Sequence, residues 1–170
     1  MAALFLRTQH LELRPLTLDD LDDLAVMLGD REALSDWGEP LDRRGAREWI
    51  ERNLARYEAD GYGRCAVILQ GTGELVGDCG LISTTVEGKR EVELGWIVRR
   101  PYWGKGIATE AAAAWRDYAF ETIGLERIVS MISHANIASR RVAEKLGMKV
   151  EREAVWGELP HLMYSLTRVV

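Results

Sequence analysis

The chain is poor in the features that mark secreted or metal-binding proteins. It has two cysteines, Cys65 and Cys79, in 170 residues, which is too few for a disulfide framework and fits small buried side chains in a reducing compartment. The three histidines, His10, His134 and His161, show no ligand spacing. We therefore expect neither disulfide bonds nor a metal site.

Long apolar runs are also missing. No run of about eighteen uncharged apolar residues occurs, and the first residues lack the charged leader and long apolar core of a signal peptide. We therefore expect a cytoplasmic protein with no membrane partner. The formal charge of −5 argues against nucleic acid as a partner and is compatible with cationic substrates.

Enough hydrophobic sequence is present for one core. With 47% hydrophobic content over 170 residues, we expect a single domain spanning residues 1–170. Periodicity and turn signals predict an α+β fold whose strands and helices alternate irregularly. The predicted strands are 10–14, 64–70, 74–85, 91–98, 126–133, 149–156 and 161–168, and the predicted helices are 17–28, 43–58, 109–122 and 137–146.

The most informative segment is a strand that breaks into a glycine-containing turn and then an alanine-rich helix, residues 93–110. Gly104 and Gly106 tolerate positive φ and have no Cβ to block a ligand. The helix that follows directs its first N–H groups and its positive dipole end at this turn. We expect the N–H groups of residues 104–109, with Lys105, to bind a phosphate group. A plain strand-to-helix turn is the alternative.

Two other phosphate-binding motifs do not fit this turn. A P-loop requires glycine where Arg99 stands and a hydroxyl side chain where Gly106 stands. The dinucleotide-binding pattern requires a third glycine, and Thr109 occupies that position. The expected ligand is therefore held by a different kind of loop.

Two segments resemble one family. The run from Trp103 to Ala108 looks like the pyrophosphate loop of the GNAT acyltransferase superfamily, Gln/Arg-x-x-Gly-x-Gly/Ala. Trp103 replaces the usual Gln or Arg, and in this the chain is similar to the branch that contains the ribosomal-protein N-terminal acetyltransferases. Residues 136–148 resemble the Asn-x-x-Ser-x-x-Val-x-Glu-Lys-x-Gly-Phe element of that branch.

The resemblance implies a fold, an activity and a cosubstrate. The fold would be a single GNAT domain, with a mixed central sheet of about seven strands flanked by about four helices. The activity would be that of an acetyl-CoA-dependent N-acetyltransferase without a metal. Backbone groups of strand 91–98 would pair with the pantetheine arm as an added strand does. The expected cofactor-binding residues are Trp96, Ile97, Val98, Trp103, Gly104, Lys105, Gly106, Ile107, Ala108, Thr109 and Asn136.

A base is needed to accept a proton from an amine acceptor, which is mostly protonated at neutral pH. Alternation places Glu91, Glu93, Gly95 and Ile97 on one face of their strand, the face expected to look toward the cofactor. Glu93 matches the Glu of the branch's Glu-x-Gly motif, and burial would raise its pKa toward a useful range. A salt-bridged or solvent-facing carboxylate is the alternative, and Glu91 is the lesser candidate.

The leaving thiolate needs a hydrogen bond or a proton. Many superfamily members use a tyrosine at the position matched here by Ala143, so this chain lacks that acid. Ser139 is the branch's substitute, and it would also suit local helix capping. Asn136, which in the family binds the pantetheine arm or orders water, is likewise a good N-cap.

The acceptor is the least constrained part of the reaction. Trp37, Tyr62 and Trp156 lie in segments where the family builds its acceptor groove, and their rings would stack on a cation or a peptide. The resemblance points to a protein N-terminal α-amine, and a small-molecule amine or antibiotic stays open. Further alternatives are a non-catalytic CoA-sensing module and a protein-interaction domain without a cofactor. Edge strands at the C-terminus make a homodimer an open expectation.

Overall fold

A computed structural model describes residues 4–34 and 38–169 of the chain. Its eight strands form one sheet in the order β1-β2-β3-β4-β5-β6-β8-β7. The strands are β1 Leu6–Arg7, β2 Leu11–Pro15, β3 Arg64–Leu69, β4 Leu75–Val86, β5 Lys89–Val98, β6 Arg127–Ile132, β7 Lys149–Trp156 and β8 Leu159–Thr167. The sheet is mixed because β5 and β6 pair in parallel and their neighbours pair antiparallel.

The sheet has one strand more than the seven predicted. The additional strand β1 contains two residues and pairs Leu6 with Leu13 of β2. An element of this length carries too few side chains to show alternation, which is why its sequence gave no signal.

Four α-helices cover the sheet: α1 Leu21–Leu28, α2 Arg43–Asp60, α3 Ile107–Tyr118 and α4 Ile137–Lys145. A 3-10 turn at Leu18–Asp20 leads into α1, and Thr17 and Asp20 form a capping box there. The predicted helix 109–122 begins two residues earlier than expected and ends in a π-helical turn at Ala119–Ile123.

Each face of the sheet has its own core. Helices α1 and α2 pack on one face, where Ala66, Ile68 and Ile97 join residues such as Leu24 and Ile50. Helices α3 and α4 pack on the other. The second core includes Leu11, Val67, Leu81, Leu94, Trp96, Trp115, Leu146 and Tyr164. Alternate residues of β5 therefore face different helices, so Glu93 shares a face with Ile97 and Trp96 takes the opposite face.

Within residues 4–34 and 38–169, no helix is long and apolar enough to cross a membrane.

Candidate active site

The two central parallel strands are joined over a short length. In the described part of the chain, one register pair, Glu93 with Val129, joins β5 to β6. Before that pair, Arg127 of β6 binds both oxygens of Glu91 at 3.0 and 3.1 Å. Beyond it, Ser130 Oγ donates a hydrogen bond of 2.6 Å to the Leu94 carbonyl. Past this bond a cleft opens between the two strands.

The cleft brings together residues from four elements that are far apart in the chain. Strands β5 and β6 form its walls, and α4 and β7 each contribute one side chain. Its lining residues are Glu93, Leu94, Gly95, Trp96, Ser130, Met131, Ile132, Ser139 and Trp156. Three side chains singled out from the sequence, Glu93, Ser139 and Trp156, thus surround one space.

Glu93 is a buried carboxyl group in the wall of this cleft. The residue is 4% exposed, and its Oε2 atom has no hydrogen-bond partner among the described residues. Burial raises the pKa of Glu93 to about 7, against an opposing effect of the positive charges of Arg64 and Arg56. No residue in the described ranges forms an ion pair with it, and it is buried from solvent. Within those ranges it is therefore not the salt-bridged or solvent-facing carboxylate that the sequence left open as an alternative.

The cation Arg64 lies on the same face of the sheet as Glu93. Arg64 pairs in register with Gly80 of β4, and Gly80 pairs with Gly95 of β5. Neither glycine has a side chain to fill the space between Arg64 and Glu93. Its guanidinium is fully buried and forms an ion pair with Asp78. Asp78 Oδ2 also accepts a 2.9 Å hydrogen bond from the Trp49 indole of α2. Arg64 is therefore a buried cation paired with Asp78, and its charge opposes the rise in the pKa of Glu93.

Glu91 occupies an equivalent position in the alternation but has a different environment. It is 7% exposed and carries the bidentate Arg127 contact, with Lys89 3.6 Å from its Oε1 atom. The Glu91 oxygens are thus held by cations, whereas Glu93 Oε2 has no hydrogen-bond partner among the described residues. The two candidate bases therefore have different environments.

Ser139 stands at the first turn of α4, opposite β5. Its backbone N–H donates to Asn136 Oδ1 at 3.0 Å, so Asn136 is the N-cap of this helix. Its hydroxyl oxygen accepts a 3.3 Å hydrogen bond from the Trp96 indole. That bond occupies a lone pair and leaves the hydroxyl proton available to another acceptor. Ala143 is fully buried in the core.

The backbone of β5 directs alternate residues to different neighbours. Arg99 N–H donates to the Val76 carbonyl at 2.8 Å, and the Ile97 carbonyl lies against Gly77, so these groups belong to the β4 ladder. The backbone N–H and carbonyl groups of Trp96 and Val98 point to the β6 side. The Val98 carbonyl accepts a 2.7 Å hydrogen bond from the indole of Trp103, which is 47% exposed. Of the three predicted backbone positions, Trp96 is the one that lines the cleft, and Ile97 faces away from it.

The glycine turn has the backbone conformation that the sequence predicts. Gly104 and Gly106 have φ values of +75° and +78°, and a Cβ at either would meet no described atom within 4 Å. Among the described residues no side chain caps the first turn of α3, and Glu110 N–H makes its bond to the Gly106 carbonyl at 3.0 Å. The preceding N–H groups of Ile107, Ala108 and Thr109 are therefore free of intrahelical bonds. Lys105 Nζ lies 5.4 Å from the centre of the Tyr102 ring.

The three predicted acceptor residues have different positions. Trp156 lines the cleft and makes an edge-to-face contact with His161, with ring centres 5.4 Å apart. Tyr62 does not line it: the residue is 8% exposed, packs in the core, and its hydroxyl lies 2.9 Å from Ser83 Oγ. Its assignment to an acceptor groove stays a prediction, because Tyr62 is separate from this cleft. Trp37 lies outside the described residues.

Sequence reasoning did not identify Ser130 or Arg64 as part of the site. Each had a signal: Arg64 begins the otherwise apolar strand β3, and Ser130 interrupts the apolar residues that follow Arg127 in β6. A buried polar group needs a partner. Their partners, Leu94 and Asp78, lie on neighbouring strands that sequence spacing does not relate to them.

Comparisons with known proteins agree with this geometry. Residues 10–149 match the acetyltransferase (GNAT) domain family. The chain is 33% identical over 146 residues to the uncharacterized protein YkkB of Bacillus subtilis (strain 168), covering 83% of each. It is 31% identical over 153 residues to the putative ribosomal N-acetyltransferase YdaF of the same organism, covering 86% of this chain and 81% of YdaF. An acetyltransferase crystal structure from Agrobacterium tumefaciens str. C58 has a TM-score of 0.87 at 31% identity, covering 99% of this chain and 96% of that chain. The chain belongs to the GNAT acetyltransferase family, and the predicted α+β fold is confirmed.

Proposed function

We propose that this acetyltransferase transfers the acetyl group of acetyl-CoA directly to a primary amine, with Glu93 as the proton acceptor. The observation that carries the proposal is the environment of Glu93. Its carboxyl group is buried in the cleft wall, Oε2 has no hydrogen-bond partner among the described residues, and its pKa is raised to about 7. A base with this pKa is half ionised near neutral pH and can both take and return a proton.

The turn before α3 suits the pyrophosphate of acetyl-CoA. The two glycines leave open space above the backbone, and the unbonded N–H groups at the start of α3 supply donors at the positive end of the helix dipole. Lys105, which is exposed at the turn, supplies a positive charge. From there the pantetheine arm would run along the β6 side of β5, where the backbone groups of Trp96 are directed.

The proposed reaction requires no covalent enzyme intermediate. The amine nitrogen attacks the thioester carbonyl carbon, a C–N bond forms, and the C–S bond breaks. Glu93, directly or through a water, receives the proton lost by the amine. The departing thiolate accepts a hydrogen bond from the Ser139 hydroxyl, whose oxygen is already oriented by Trp96.

A protein N-terminal α-amine is the acceptor that this base suits best. An α-amine has a reference pKa of about 8 and a lysine amine about 10.4. A carboxylate with a pKa of about 7 therefore deprotonates an α-amine against a much smaller free-energy difference than a lysine-like amine. The similarity to a putative ribosomal N-acetyltransferase supports the same acceptor. Trp156, in the cleft beside Glu93, would contact the first residues of the peptide.

The test is thiol release from acetyl-CoA with four acceptor classes: peptides with free N-termini, polyamines, amino acids and aminoglycosides. Wild-type protein is compared with Glu93→Gln, which keeps the side-chain shape and removes the base. We expect release with peptides and a loss of about a hundredfold or more in kcat in the variant. Release with another class alone would replace the peptide assignment, and equal rates for both proteins would exclude Glu93 as the base.

The pH dependence of kcat is an independent test of Glu93 as the base. Glu93 must be ionised to accept a proton, and its pKa is about 7. The wild-type kcat should therefore be low at pH 5.5 and rise through about pH 7. Glu93→Gln should lose this inflection. An unchanged inflection in the variant would assign the titration to another group.

A further inference from the structure

The β4–β5 hairpin ends in a glutamate that holds a distant strand. Glu87 Oε1 accepts a 2.7 Å hydrogen bond from the backbone N–H of Val155, and Glu87 Oε2 accepts one of 2.9 Å from Arg152 Nη1. Both partners lie in β7, which is at the edge of the sheet. The hairpin of β4 and β5 thus contacts β7 directly, in addition to the indirect connection through β6 and β8.

The geometry of β7 explains why this contact is needed. Trp156 pairs with Leu159 across the two-residue turn of the β7–β8 hairpin, so Trp156 directs its backbone groups to β8. Val155, one residue earlier, directs its N–H to the outer edge of the sheet. On that side no further strand pairs with β7 in the described sheet, and Glu87 supplies the acceptor.

Glu87 occupies its position at a conformational cost. Its φ is +47°, a left-handed value that favours glycine or asparagine, and Gly88 beside it has a φ of +82°. A glycine at residue 87 would form the same turn without this cost. The local backbone therefore does not account for a glutamate here, whereas its two contacts with β7 do.

Strand β7, which Glu87 contacts, also contributes a side chain to the lining of the cleft. Trp156 follows Val155 directly and lines the cleft beside Glu93. Its ring packs on a small core cluster that includes Val86, the residue before Glu87. The tip of the β4–β5 hairpin thus supports Trp156 in two ways, through the core beneath its ring and through the backbone beside it.

We propose that Glu87 is a positioning residue for acceptor binding, which fixes Trp156 relative to Glu93 by bonding the edge of β7. The role of Trp156 in this inference rests on the function proposed above. The contact between Glu87 and β7 does not depend on that function.

The kinetic test uses Glu87→Gly, which removes both contacts and relieves the positive φ. We expect the KM for the acceptor to rise about tenfold, because a small displacement of a binding group is costly, while the KM for acetyl-CoA and kcat at saturating acceptor stay unchanged. Glu87→Gln keeps an acceptor for the Val155 N–H and should restore most of the affinity. Arg90→Gln, a change of one charge in the same hairpin, is the matched control and should have no effect.

A double-variant comparison ties the effect to Trp156. In a Trp156→Ala background, Glu87→Gly should cause no further rise in acceptor KM. An equal rise in both backgrounds, or no rise in the wild-type background, would overturn the proposal.

Fluorine NMR on fluorotryptophan-labelled protein provides a reading that needs no turnover. The Trp156 resonance, assigned by its loss in Trp156→Phe, should move in Glu87→Gly and return toward its original position in Glu87→Gln. A resonance that does not move overturns the positioning role even if the enzyme acetylates amines. A resonance that moves in a protein that acetylates none supports the positioning of Trp156 and removes the proposed function.

Discussion

The Trp96 indole donates a hydrogen bond of 3.3 Å to Ser139 Oγ and so connects β5 with the first turn of α4. Trp96 is 9% exposed and packs in the core under α3, which limits its motion. A serine oxygen that accepts from a fixed donor has its own proton free for a further acceptor. The thiolate of CoA is the acceptor that the proposed reaction would place there.

Ser139→Ala should lower kcat about tenfold to a hundredfold, because a hydrogen bond to a charged group contributes about 1.5–3 kcal/mol. The affinity for acetyl-CoA should change little, since the thiolate exists only after attack. Single-turnover rates with saturating acetyl-CoA measure this.

Ser139→Thr keeps a hydroxyl group and is the matched control. Trp96→Phe, which removes only the orienting bond, should cause a smaller loss. An unchanged kcat in Ser139→Ala would exclude the serine from the chemical step.

Glu93→Gln should make the protein more stable at alkaline pH while it reduces activity. The pKa of Glu93 is about 7 in the fold and 4.5 in its usual range, so the folded state binds this proton more tightly than the unfolded state. The resulting stability is fully present below pH 4.5 and is lost as pH rises through about 7. The loss corresponds to about 3 kcal/mol.

Urea unfolding at pH 4 and pH 8 tests this linkage. We expect Glu93→Gln to match the wild type at pH 4 and to exceed it by up to about 3 kcal/mol at pH 8. Glu91→Gln is the control with the opposite sign, because it removes the charge that pairs with Arg127. If Glu93→Gln destabilises the protein at pH 8, the ionised carboxylate has a stabilising partner within the folded protein. That result would contradict the proposed role of Glu93 as an unpaired base.

The acetyl-CoA loop can be tested with two substitutions at one glycine. Gly106 has a φ of +78°, so any side chain there costs about 1–2 kcal/mol of folding free energy. Gly106→Ala and Gly106→Glu share that cost, and only the glutamate adds a negative charge where a pyrophosphate would lie. At a ligand concentration about a hundred times Kd, acetyl-CoA should stabilise the wild type by about 2.7 kcal/mol, which is about 5–10 °C in Tm.

We expect the acetyl-CoA-induced rise in Tm to be reduced in Gly106→Ala and absent in Gly106→Glu. Calorimetric titration with acetyl-CoA gives the same comparison as affinities. Equal stabilisation of all three proteins would place the phosphate groups elsewhere on the surface.

The parts of the site that the sequence predicts well are those formed by neighbours in the chain. The positive φ values of Gly104 and Gly106 and the Asn136 cap depend on a few consecutive residues. Backbone preferences and capping act at that range, so local sequence contains the information.

The environment of the two glutamates depends on the rest of the fold. Glu91 and Glu93 share one face of β5 and are equivalent by alternation. Arg127, which lies more than thirty residues later in the chain, pairs with Glu91 and not with Glu93. Likewise, Trp156 and Tyr62 are both aromatic residues near strand ends. The pairing of β7 with β8, and of β8 with β6, brings Trp156 to the cleft. Such differences follow from strand order, which single-chain periodicity does not specify.

The Arg127–Glu91 ion pair joins β5 to β6 next to the cleft, and its removal should change the stability of the fold. Both side chains are largely buried, at 25% and 4% exposure, and Arg127 also binds Glu151 at 2.7 Å. Arg127→Met should destabilise the fold by about 3 kcal/mol, because it leaves the buried Glu91 carboxylate with Lys89 as its remaining ion-pair partner among the described residues. Urea unfolding at neutral pH measures this effect.

The double variant Arg127→Met with Glu91→Met separates the cost of an unpaired charge from the value of the pair. Replacing a buried ion pair by apolar side chains of similar volume is often neutral or stabilising. We therefore expect the double variant to regain most of the stability lost in Arg127→Met. If it remains as unstable as the single variant, the bidentate contact itself holds β5 and β6 together. In that case kcat should fall along with stability, since Glu93 lies two residues beyond Glu91 on the same strand.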